Sequence, residues 1–332
     1  MRALSSEVGV KPKYERIEDI PGVGPATAEK LKEMGFHTVE SLATATIKEL
    51  TVAGVGEKQA AKIISEARSS IALTFIRADE LMEMRKSVLR LTTGSKALDE
   101  LVGGGVETQT ITELYGEYGV GKSILCHQLS VNVQLPVEKG GLDGSALYVD
   151  TEQTFRPEWI VRMAEHLGLD PEKAAQKIIY SEAYNSDHQI LILEKADKVI
   201  KENNVKLIII DSLTAHFRSE YLGREMLAER QQKLNNHMHR LIRLARAFNA
   251  AAVVTNQVMS KPDAFFAMGV EAVGGHIVAH TSHTRLFLRR TSGAVRIARL
   301  VSSPYLPEGE RIFRITEHGV EDVPEGEEYK RR

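Results

Sequence analysis

The chain has 332 residues, which at roughly 150 residues per domain indicates about two domains. Hydrophobic residues make up 42% and charged residues 27%, a composition that supports a folded core and excludes a wholly disordered or fibrous chain. The 43 Lys and Arg residues nearly balance the 45 Asp and Glu residues, so any binding to nucleic acid has to come from local basic surfaces.

Neither a membrane span nor a secretion signal is indicated. The longest aliphatic runs, 207–210 and 250–254, are far shorter than the roughly 20 residues that a membrane helix requires. The amino terminus lacks the apolar stretch of a secretory signal, and the single cysteine, Cys126, cannot form an internal disulfide. We therefore expect a reducing, intracellular setting with no membrane partner.

A short internal repeat lies near the amino terminus. Gly22 and Gly24 precede one helical pattern at 26–34, and Gly54 and Gly56 precede another at 57–68. Each unit predicts a helix, a tight Gly-x-Gly hairpin and a second helix. The repeat predicts a small all-helical domain over residues 1–70, followed by a linker over 71–91.

From residue 92 to 332 the pattern changes to apolar runs that alternate with amphipathic helices. This alternation predicts an α/β sheet with helical crossovers, extended by antiparallel strands near the carboxyl end. The predicted strands are 110–115, 146–150, 207–211, 251–256, 285–288, 296–301 and 311–315.

A phosphate-binding loop follows the first of these strands. Residues 116–123 fit the pattern G-x-x-x-x-G-K-[ST] between a predicted strand and a predicted helix at 124–135. Lys122 would face the β- and γ-phosphates of a nucleotide, and the Ser123 hydroxyl would bind Mg²⁺. The predicted nucleotide-binding residues are Gly116, Glu117, Tyr118, Gly119, Val120, Gly121, Lys122, Ser123 and the adjoining Ile124.

Two carboxylates end other predicted strands. Asp211 closes an aliphatic run and is predicted to hold the Mg²⁺ shell beside the phosphate-binding loop. Glu152 follows the strand 146–150, where spacing alone leaves two interpretations open. It either polarises the water that attacks the γ-phosphate or is the carboxylate at the start of a helix.

Two further stretches lack a clear periodic pattern. The first stretch, Thr214 to Leu227, contains Arg218, Tyr221 and Arg224 and runs into a predicted helix that carries Arg230. Residues 214–230 together are called the basic segment, and between residues 218 and 246 seven Lys and Arg outnumber three Glu. This segment is either a contact surface for a phosphate backbone or a solvated helix face. The glycine-rich segment (258–275) contains Phe265, Gly274 and Gly275 and is long enough to predict a functional loop.

Several longer motifs make the chain resemble the archaeal RadA recombinases, a branch of the RecA-like strand-exchange family. The resemblance covers nearly the whole chain and implies a RecA-like P-loop ATPase core with an amino-terminal helix-hairpin-helix domain. The motifs are GEYGVGKS at 116–123, VDTEQTFRPE at 149–158, LIIIDS at 207–212, FRSEYLGREMLAERQQKL at 217–234, VVTNQVMSKPDAFF at 253–266 and SPYLPEGE at 303–310.

The resemblance implies roles around the nucleotide. Glu152 is similar to the glutamate that activates the hydrolytic water, and Gln257 to the glutamine that opens the second DNA-binding loop and senses the γ-phosphate; with Lys122 they form the implied catalytic set. His280 is similar to a histidine near the nucleotide of the active filament. A cap over the neighbouring subunit's ATP is implied for Pro304, Tyr305, Leu306 and Pro307.

Two positions depart from the family pattern. Trp159 stands where the family has an arginine that stacks on adenine, so stacking is retained while the cation is expected to be lost. Ser302 replaces an aspartate that helps to bind a monovalent cation, which leaves the dependence on that cation open.

The resemblance also implies DNA contacts and self-assembly. Phe75 and Ala78 match an F-x-x-A polymerisation motif whose two side chains enter pockets on the neighbouring core. The implied DNA-binding residues are Gly22, Gly24, Gly54, Gly56, Arg218, Tyr221, Arg224, Arg230, Phe265, Gly274 and Gly275.

The expected function is ATP-dependent DNA strand exchange by a filament on single-stranded DNA, with ATP and Mg²⁺ as cofactors. Expected partners are single-stranded and double-stranded DNA, further copies of the chain in a filament or ring, and mediator proteins, in the cytoplasm at the nucleoid. The alternatives are a regulator of the same fold that binds ATP and DNA without strand exchange, and a RecA-fold helicase.

Overall fold

The structure, a computed structural model, describes residues 13–70, 76–260, 270–291 and 293–324. The chain divides into two compact units, 1–82 and 83–332, and the division falls inside the predicted linker. No helix in the described ranges is long and apolar enough to cross a membrane.

The amino-terminal unit is built from short helices around one core. The repeat pattern predicted the helices α1 and α4, and both are present. Leu31, Leu42, Leu50 and Ile63 are fully buried between the helices. The elements are a 3-10 turn at Ile17–Asp19 and the helices α1 (Pro25–Glu33), α2 (Val39–Ala43), α3 (Ile47–Val52), α4 (Glu57–Ser70) and α5 (Ala78–Arg85), which crosses the division between the units.

The carboxyl-terminal unit contains the sheet. Its helices are α6 (Lys96–Leu101), α7 (Lys122–Asn132), α8 (Pro157–His166), α9 (Pro171–Gln176), α10 (Ser186–Glu194), α11 (Ala196–Glu202), α12 (Ala215–Glu220), α13 (Leu227–Ala247) and α14 (Gly275–Thr281). Its strands are β1 (Arg90–Leu91), β2 (Val106–Glu107), β3 (Ile111–Gly116), β4 (Ser145–Asp150), β5 (Ile178–Glu182), β6 (Val205–Asp211), β7 (Ala251–Asn256), β8 (Val258–Ser260), β9 (Val270–Ala272), β10 (Thr284–Arg290), β11 (Val295–Ser302), β12 (Gly309–Thr316) and β13 (Gly319–Glu321).

Among the described residues, nine strands form one mixed sheet in the order β13-β12-β11-β10-β3-β7-β6-β4-β5. The strands from β10 to β5 are parallel, and β11, β12 and β13 add in antiparallel fashion. The central strands are buried along their whole length, as expected for parallel strands covered on both faces. The predicted α/β class and its carboxyl-terminal antiparallel extension are therefore confirmed.

Two apolar layers lie on opposite sides of this sheet. Leu125 and Leu129 of α7 belong to one layer, and Leu234 and Leu241 of α13 belong to the other. Because α7 directly follows β3, the first layer fixes the helix that begins at the phosphate-binding loop.

The structure corrects the sequence analysis at several places: the short strands β1, β2, β8, β9 and β13 were not predicted, although β8 and β9 lie in the glycine-rich segment, and two further differences follow. Strand β5 was missed, because its residues IIYSE are only half-buried at the sheet edge and do not form a continuous apolar run. The basic segment is not without pattern, since α12 occupies Ala215–Glu220 and the buried Phe217 ties this helix to the core.

A buried ion pair joins two strands of the sheet. The Arg285 Nε on β10 donates to the Glu113 carboxylate on β3 at 2.6 Å, and the Glu113 side chain is fully buried. Another pair involving β10, Arg289 with Glu310 of β12, is more than a third exposed on both sides.

We expect Arg285→Leu to lower the free energy of unfolding by about 3–5 kcal/mol, because it leaves a buried carboxylate without its cation. The matched change Arg289→Leu should cost about 0–1 kcal/mol, since its pair is solvated. Urea denaturation followed by circular dichroism measures both. Equal, small effects would show that Glu113 does not depend on Arg285.

Candidate nucleotide and DNA sites

The phosphate-binding loop lies between β3 and α7. Gly119 and Gly121 have φ angles of +75° and +104°, which residues with a side chain rarely adopt. A Cβ at Gly119 would meet nothing within 4 Å, so the loop faces open space at the start of α7. Such a helix start presents free backbone amides to an anion.

At position 116 glycine is required by packing within the sheet, unlike Gly119, which borders open space. A Cβ built there would lie 2.2 Å from the Leu288 carbonyl oxygen of β10. The first glycine of the motif therefore permits close contact between two strand backbones.

Lys122 lies inside this loop with its ammonium group bound to the backbone. Its Nζ donates to the carbonyl oxygens of Gly116 at 2.9 Å and Glu117 at 2.8 Å. Burial lowers the pKa of Lys122, while the nearby charges of Asp211 and Glu152 oppose that shift. Asp211 at the end of β6 and Glu152 after β4 are thus near enough to act on the charge of Lys122.

Asp211 is held in place at the end of β6. The Tyr148 hydroxyl donates to its Oδ2 at 2.7 Å, and the Thr255 hydroxyl donates to its Oδ1 at 2.5 Å. The side chain is almost completely buried. Burial is also the main reason why the pKa of Tyr148 is well above its usual value, so the tyrosine remains a donor to Asp211.

Glu152 and Gln257 meet at the same edge of the sheet. The Gln257 Nε2 donates to the Glu152 Oε1 at 2.9 Å, across 105 residues of sequence. Glu152 lies in the loop before α8, which begins at Pro157 with Arg156 as its cap. The helix-start interpretation of Glu152 is therefore wrong, and its carboxylate instead contacts Gln257, the residue that follows β7.

The loop that carries Glu152 is fastened by two side chains. The Asp150 carboxylate accepts from the amides of Glu152 at 3.0 Å and Phe155 at 2.9 Å. His127 of α7 contacts the Ser123 carbonyl through Nδ1 and accepts from the Arg156 amide through Nε2 at 3.1 Å. Burial lowers the pKa of His127, which favours the neutral ring that these two contacts require. His127 thus joins the phosphate-binding loop to the Glu152 loop.

The residues present fit a nucleotide with Mg²⁺. Ser123 and Asp211 offer oxygen ligands, the type that Mg²⁺ prefers. In the described ranges no group of three or more His, Cys, Asp or Glu residues is arranged to hold a metal ion.

Trp159 is accompanied by a cation. The Arg162 guanidinium lies over the indole ring at 5.8 Å from its centroid, one turn further along α8. Trp159 packs with Ile124, the residue that follows the phosphate-binding loop, against one apolar cluster. Position 159 itself carries no cation, but Arg162 places one on the face of its ring.

The implied cap residues lie at the surface. Tyr305 is half-exposed, its hydroxyl donates to the Glu107 carboxylate at 2.9 Å, and it accepts from Arg90 at 3.1 Å. Pro304 and Pro307 are exposed, and Leu306 is partly buried. Ser302 is the exposed last residue of β11. His280, exposed on α14, stacks on His276.

The two amino-terminal hairpins lie side by side. Gly22, Gly24, Gly54 and Gly56 are all exposed, while Val23 and Val55 between them are buried. The Gln59 amide donates to the Gly22 carbonyl at 2.8 Å, and the Lys30 ammonium lies 3.7 Å from the position of a Cβ at Gly54. Each hairpin is thus contacted by a polar side chain of the helix that follows the other.

The basic segment separates into exposed and engaged residues. Arg218 and Arg224 are exposed and Arg230 is half-buried. Further along α13, Lys233 pairs with Asp187 and Arg240 with Asp197, both at 2.8 Å. Arg218 and Arg224 are therefore exposed, whereas Lys233 and Arg240 are engaged in ion pairs.

Tyr221 does not fit a direct DNA contact. Its side chain is 7% exposed, stacks on Phe217 and is covered by the Lys233 ammonium at 5.1 Å. The spacing among arginines suggested a contact residue, but the apolar cluster below α13 takes up this ring. Tyr221 therefore anchors the basic segment to the apolar core through its buried ring.

Some implied residues lie outside the described residues or at their margins. Phe75 and Phe265 lie outside them. Ala78 is the exposed first residue of α5. Gly274 and Gly275 have φ angles of +95° and +59° at the start of α14.

A Gly-rich turn between a parallel strand and a helix, with carboxylates at nearby strand ends, defines a P-loop ATPase of the RecA-like type. The Rad51 family profile matches residues 84–323, and a SAM-like helix-hairpin-helix tandem profile matches residues 14–69. The chain is 51% identical over 313 residues to the DNA repair and recombination protein RadA of Aeropyrum pernix, a match that covers 94% of this chain and 98% of that protein. The chain belongs to the Rad51 family.

Membership confirms the activity implied by the sequence motifs. Rad51-family proteins are DNA-dependent ATPases that couple nucleotide use to DNA strand exchange, and the chain is a recombinase of this kind. The family binds DNA and self-assembles into filaments. The helicase and non-exchanging regulator alternatives are not supported by these matches.

Sequence reasoning missed several residues of the site. His127, Tyr148 and Arg162 carry no motif of their own and act through contacts that depend on the fold. A histidine five residues after Lys122 was the one available signal, and a single histidine on a buried helix has no specific meaning by spacing alone.

We expect His127→Asn to lower the turnover number for ATP hydrolysis by about ten- to a hundredfold. The asparagine side chain is too short to accept the hydrogen bond from the Arg156 backbone N–H, so the Glu152 loop is no longer held. His127→Gln should retain more turnover, since its amide oxygen reaches the Arg156 position. The ATP dissociation constant should change little in either variant. Steady-state ATPase assays with nucleotide-binding titrations measure both quantities, and equal losses in the two variants would show that the ring only fills space.

Proposed function

We propose that the chain binds ATP with Mg²⁺ at residues 116–124 and hydrolyses it through Glu152 while assembled on DNA. The observation that carries this proposal is the hydrogen bond between Glu152 and Gln257. It joins the nucleotide edge of the sheet to the glycine-rich segment, which begins at the next residue. A DNA-dependent ATPase requires such a connection between its two ligands.

In this proposal Glu152 accepts a proton from the attacking water, and Gln257 orients the carboxylate through its amide. Lys122 leaves its backbone carbonyl partners and faces the β- and γ-phosphates. Mg²⁺, held by Ser123 and by Asp211 through water, would neutralise phosphate charge. Trp159 with Arg162 would stack on the base, and His280 and residues 304–307 would meet a neighbouring protomer's nucleotide. We leave the monovalent cation unassigned, because Ser302 lacks a carboxylate.

We propose that DNA contacts come from both units. The exposed hairpin glycines offer backbone amides to phosphates without reading sequence. In the core, Arg218, Arg224 and Arg230 supply the cations, and the glycine-rich segment with Phe265, Gly274 and Gly275 lies next to Gln257 in sequence. Single-stranded and double-stranded DNA are the proposed ligands, and the cytoplasm at the nucleoid is the proposed location.

Assembly is proposed to use the motif at Phe75 and Ala78. Strand β5 is the last strand of the described sheet and pairs on one side only, with β4. Tyr180 and Tyr184 at this edge are 43% and 70% exposed, and Leu191 of α10 is 42% exposed. An unpaired edge beside apolar side chains is what an extended segment with a phenylalanine requires.

We expect Glu152→Gln to bind ATP and support filaments while the turnover number falls by about 10²-fold or more, because only the base is removed. Lys122→Ala should instead weaken ATP binding as well. Nucleotide-binding titration and phosphate release separate the two variants. Loss of ATP binding in Glu152→Gln would assign Glu152 a structural role.

We expect Arg224→Ala to weaken binding of single-stranded DNA and to reduce the salt dependence by about 0.7 per lost phosphate contact. Arg240→Ala is the matched control on α13, because its guanidinium is already paired with Asp197. Fluorescence anisotropy at several salt concentrations gives both slopes. An unchanged slope for Arg224→Ala would identify the basic segment as a solvated helix face.

A further inference from the structure

Asn256 has every hydrogen-bonding position of its side-chain amide occupied. It is the last residue of β7 and is fully buried. Its Oδ1 accepts from the Thr214 hydroxyl at 2.8 Å and from the Gln257 amide at 2.9 Å. Its Nδ2 donates to the Glu113 carboxylate at 2.9 Å and to the Val273 carbonyl at 2.5 Å.

These four partners come from different parts of the site. Thr214 is the first residue of the basic segment and its carbonyl accepts from the Arg218 amide. Gln257 precedes the glycine-rich segment, and Val273 lies near its end. Glu113 belongs to β3, the strand that leads into the phosphate-binding loop. One side chain therefore contacts both candidate DNA segments and the nucleotide strand.

Thr214 contributes a second contact at this junction. The Thr214 methyl carbon lies 3.3 Å from the position that a Cβ at residue 274 would occupy, so any side chain at residue 274 would be in tight contact with Thr214. The Val273 amide also donates to the Gln257 carbonyl at 2.9 Å, which closes the glycine-rich segment at its base. The start of the basic segment and the two ends of the glycine-rich segment are thus held within one buried cluster.

We propose that Asn256 is a positioning residue that couples DNA binding at the two segments to ATP hydrolysis at Glu152. Asn256 holds the Gln257 amide, and Gln257 in turn holds the Glu152 carboxylate. A displacement of either segment must move Asn256 or break one of its buried bonds, and both events shift Gln257. The inference rests on the proposed assignment of the two segments to DNA.

The physical cost of breaking these bonds makes the junction cooperative. A buried donor or acceptor that loses its partner keeps its desolvation penalty, so the four bonds favour one common arrangement. A residue that only filled this space would affect folding and turnover alike. A coupling residue should instead affect the response to DNA.

The test uses Thr214, which reaches Asn256 without touching the nucleotide residues. Thr214→Val keeps the shape and removes the hydroxyl, and Thr214→Ser keeps the hydroxyl and removes the methyl. We expect Thr214→Val to reduce the stimulation of ATPase turnover by single-stranded DNA about two- to tenfold, the effect of one buried hydrogen bond. Turnover without DNA, ATP affinity and DNA affinity should stay within about twofold of wild type, and Thr214→Ser should retain the stimulation.

A second pair of variants tests Asn256 itself. Asn256→Asp places a carboxylate oxygen against the Glu113 carboxylate and the Val273 carbonyl, and should abolish stimulation. The matched variant Asn256→Ser removes the bonds to Glu113 and Val273 without adding a charge, and it should reduce stimulation less than Asn256→Asp.

The outcomes separate the inference from the function on which it rests. Reduced stimulation in Thr214→Val with recovery in Thr214→Ser supports the inference. Unchanged stimulation in Thr214→Val overturns it, and so does an equal loss of turnover with and without DNA. An Arg224→Ala variant that binds DNA like wild type would instead remove the basic segment from DNA binding and overturn both.

Discussion

The site depends on the parallel strands of the central sheet ending at one edge. Asp150 and Asp211 are neighbours in register, and Tyr115 pairs with Asn256, so the residues after these strands must meet. Main-chain hydrogen bonds within the sheet hold these ends at fixed spacing. The sheet therefore brings the groups proposed to be catalytic to one edge, and side chains of neighbouring elements fasten the loops that carry them.

Polar side chains buried at this edge connect the loops and segments that are proposed to bind ATP and DNA. His127 links the phosphate-binding loop to the Glu152 loop, and Asn256 links both candidate DNA segments to Gln257. Each linker is neutral and has its hydrogen bonds satisfied, which avoids the cost of burying an unpaired charge. The nucleotide edge thus gains its order from bonds between loops as well as from the sheet.

Sequence patterns predicted the strands that carry the site, because parallel central strands are continuous apolar runs that end at distinctive residues. The same patterns failed at β5, where a half-buried edge strand mixes polar and apolar residues. They also misplaced Tyr221, since burial of an aromatic ring between arginines leaves no trace in spacing. Arg162 and Asn256 were missed because their roles arise from partners distant in sequence.

The glycines of the phosphate-binding loop are required for different physical reasons. Gly116 is required by the close approach of the β10 backbone, whereas Gly119 is restricted only by its φ angle. A descendant of this chain that lost its nucleotide would still have to keep Gly116 to preserve the sheet. At position 119 asparagine, which tolerates the left-handed region, would become acceptable. The glycines of the motif would then be lost at different rates. A glycine retained at position 116 alone would indicate a shared fold and would not be evidence of ATP binding.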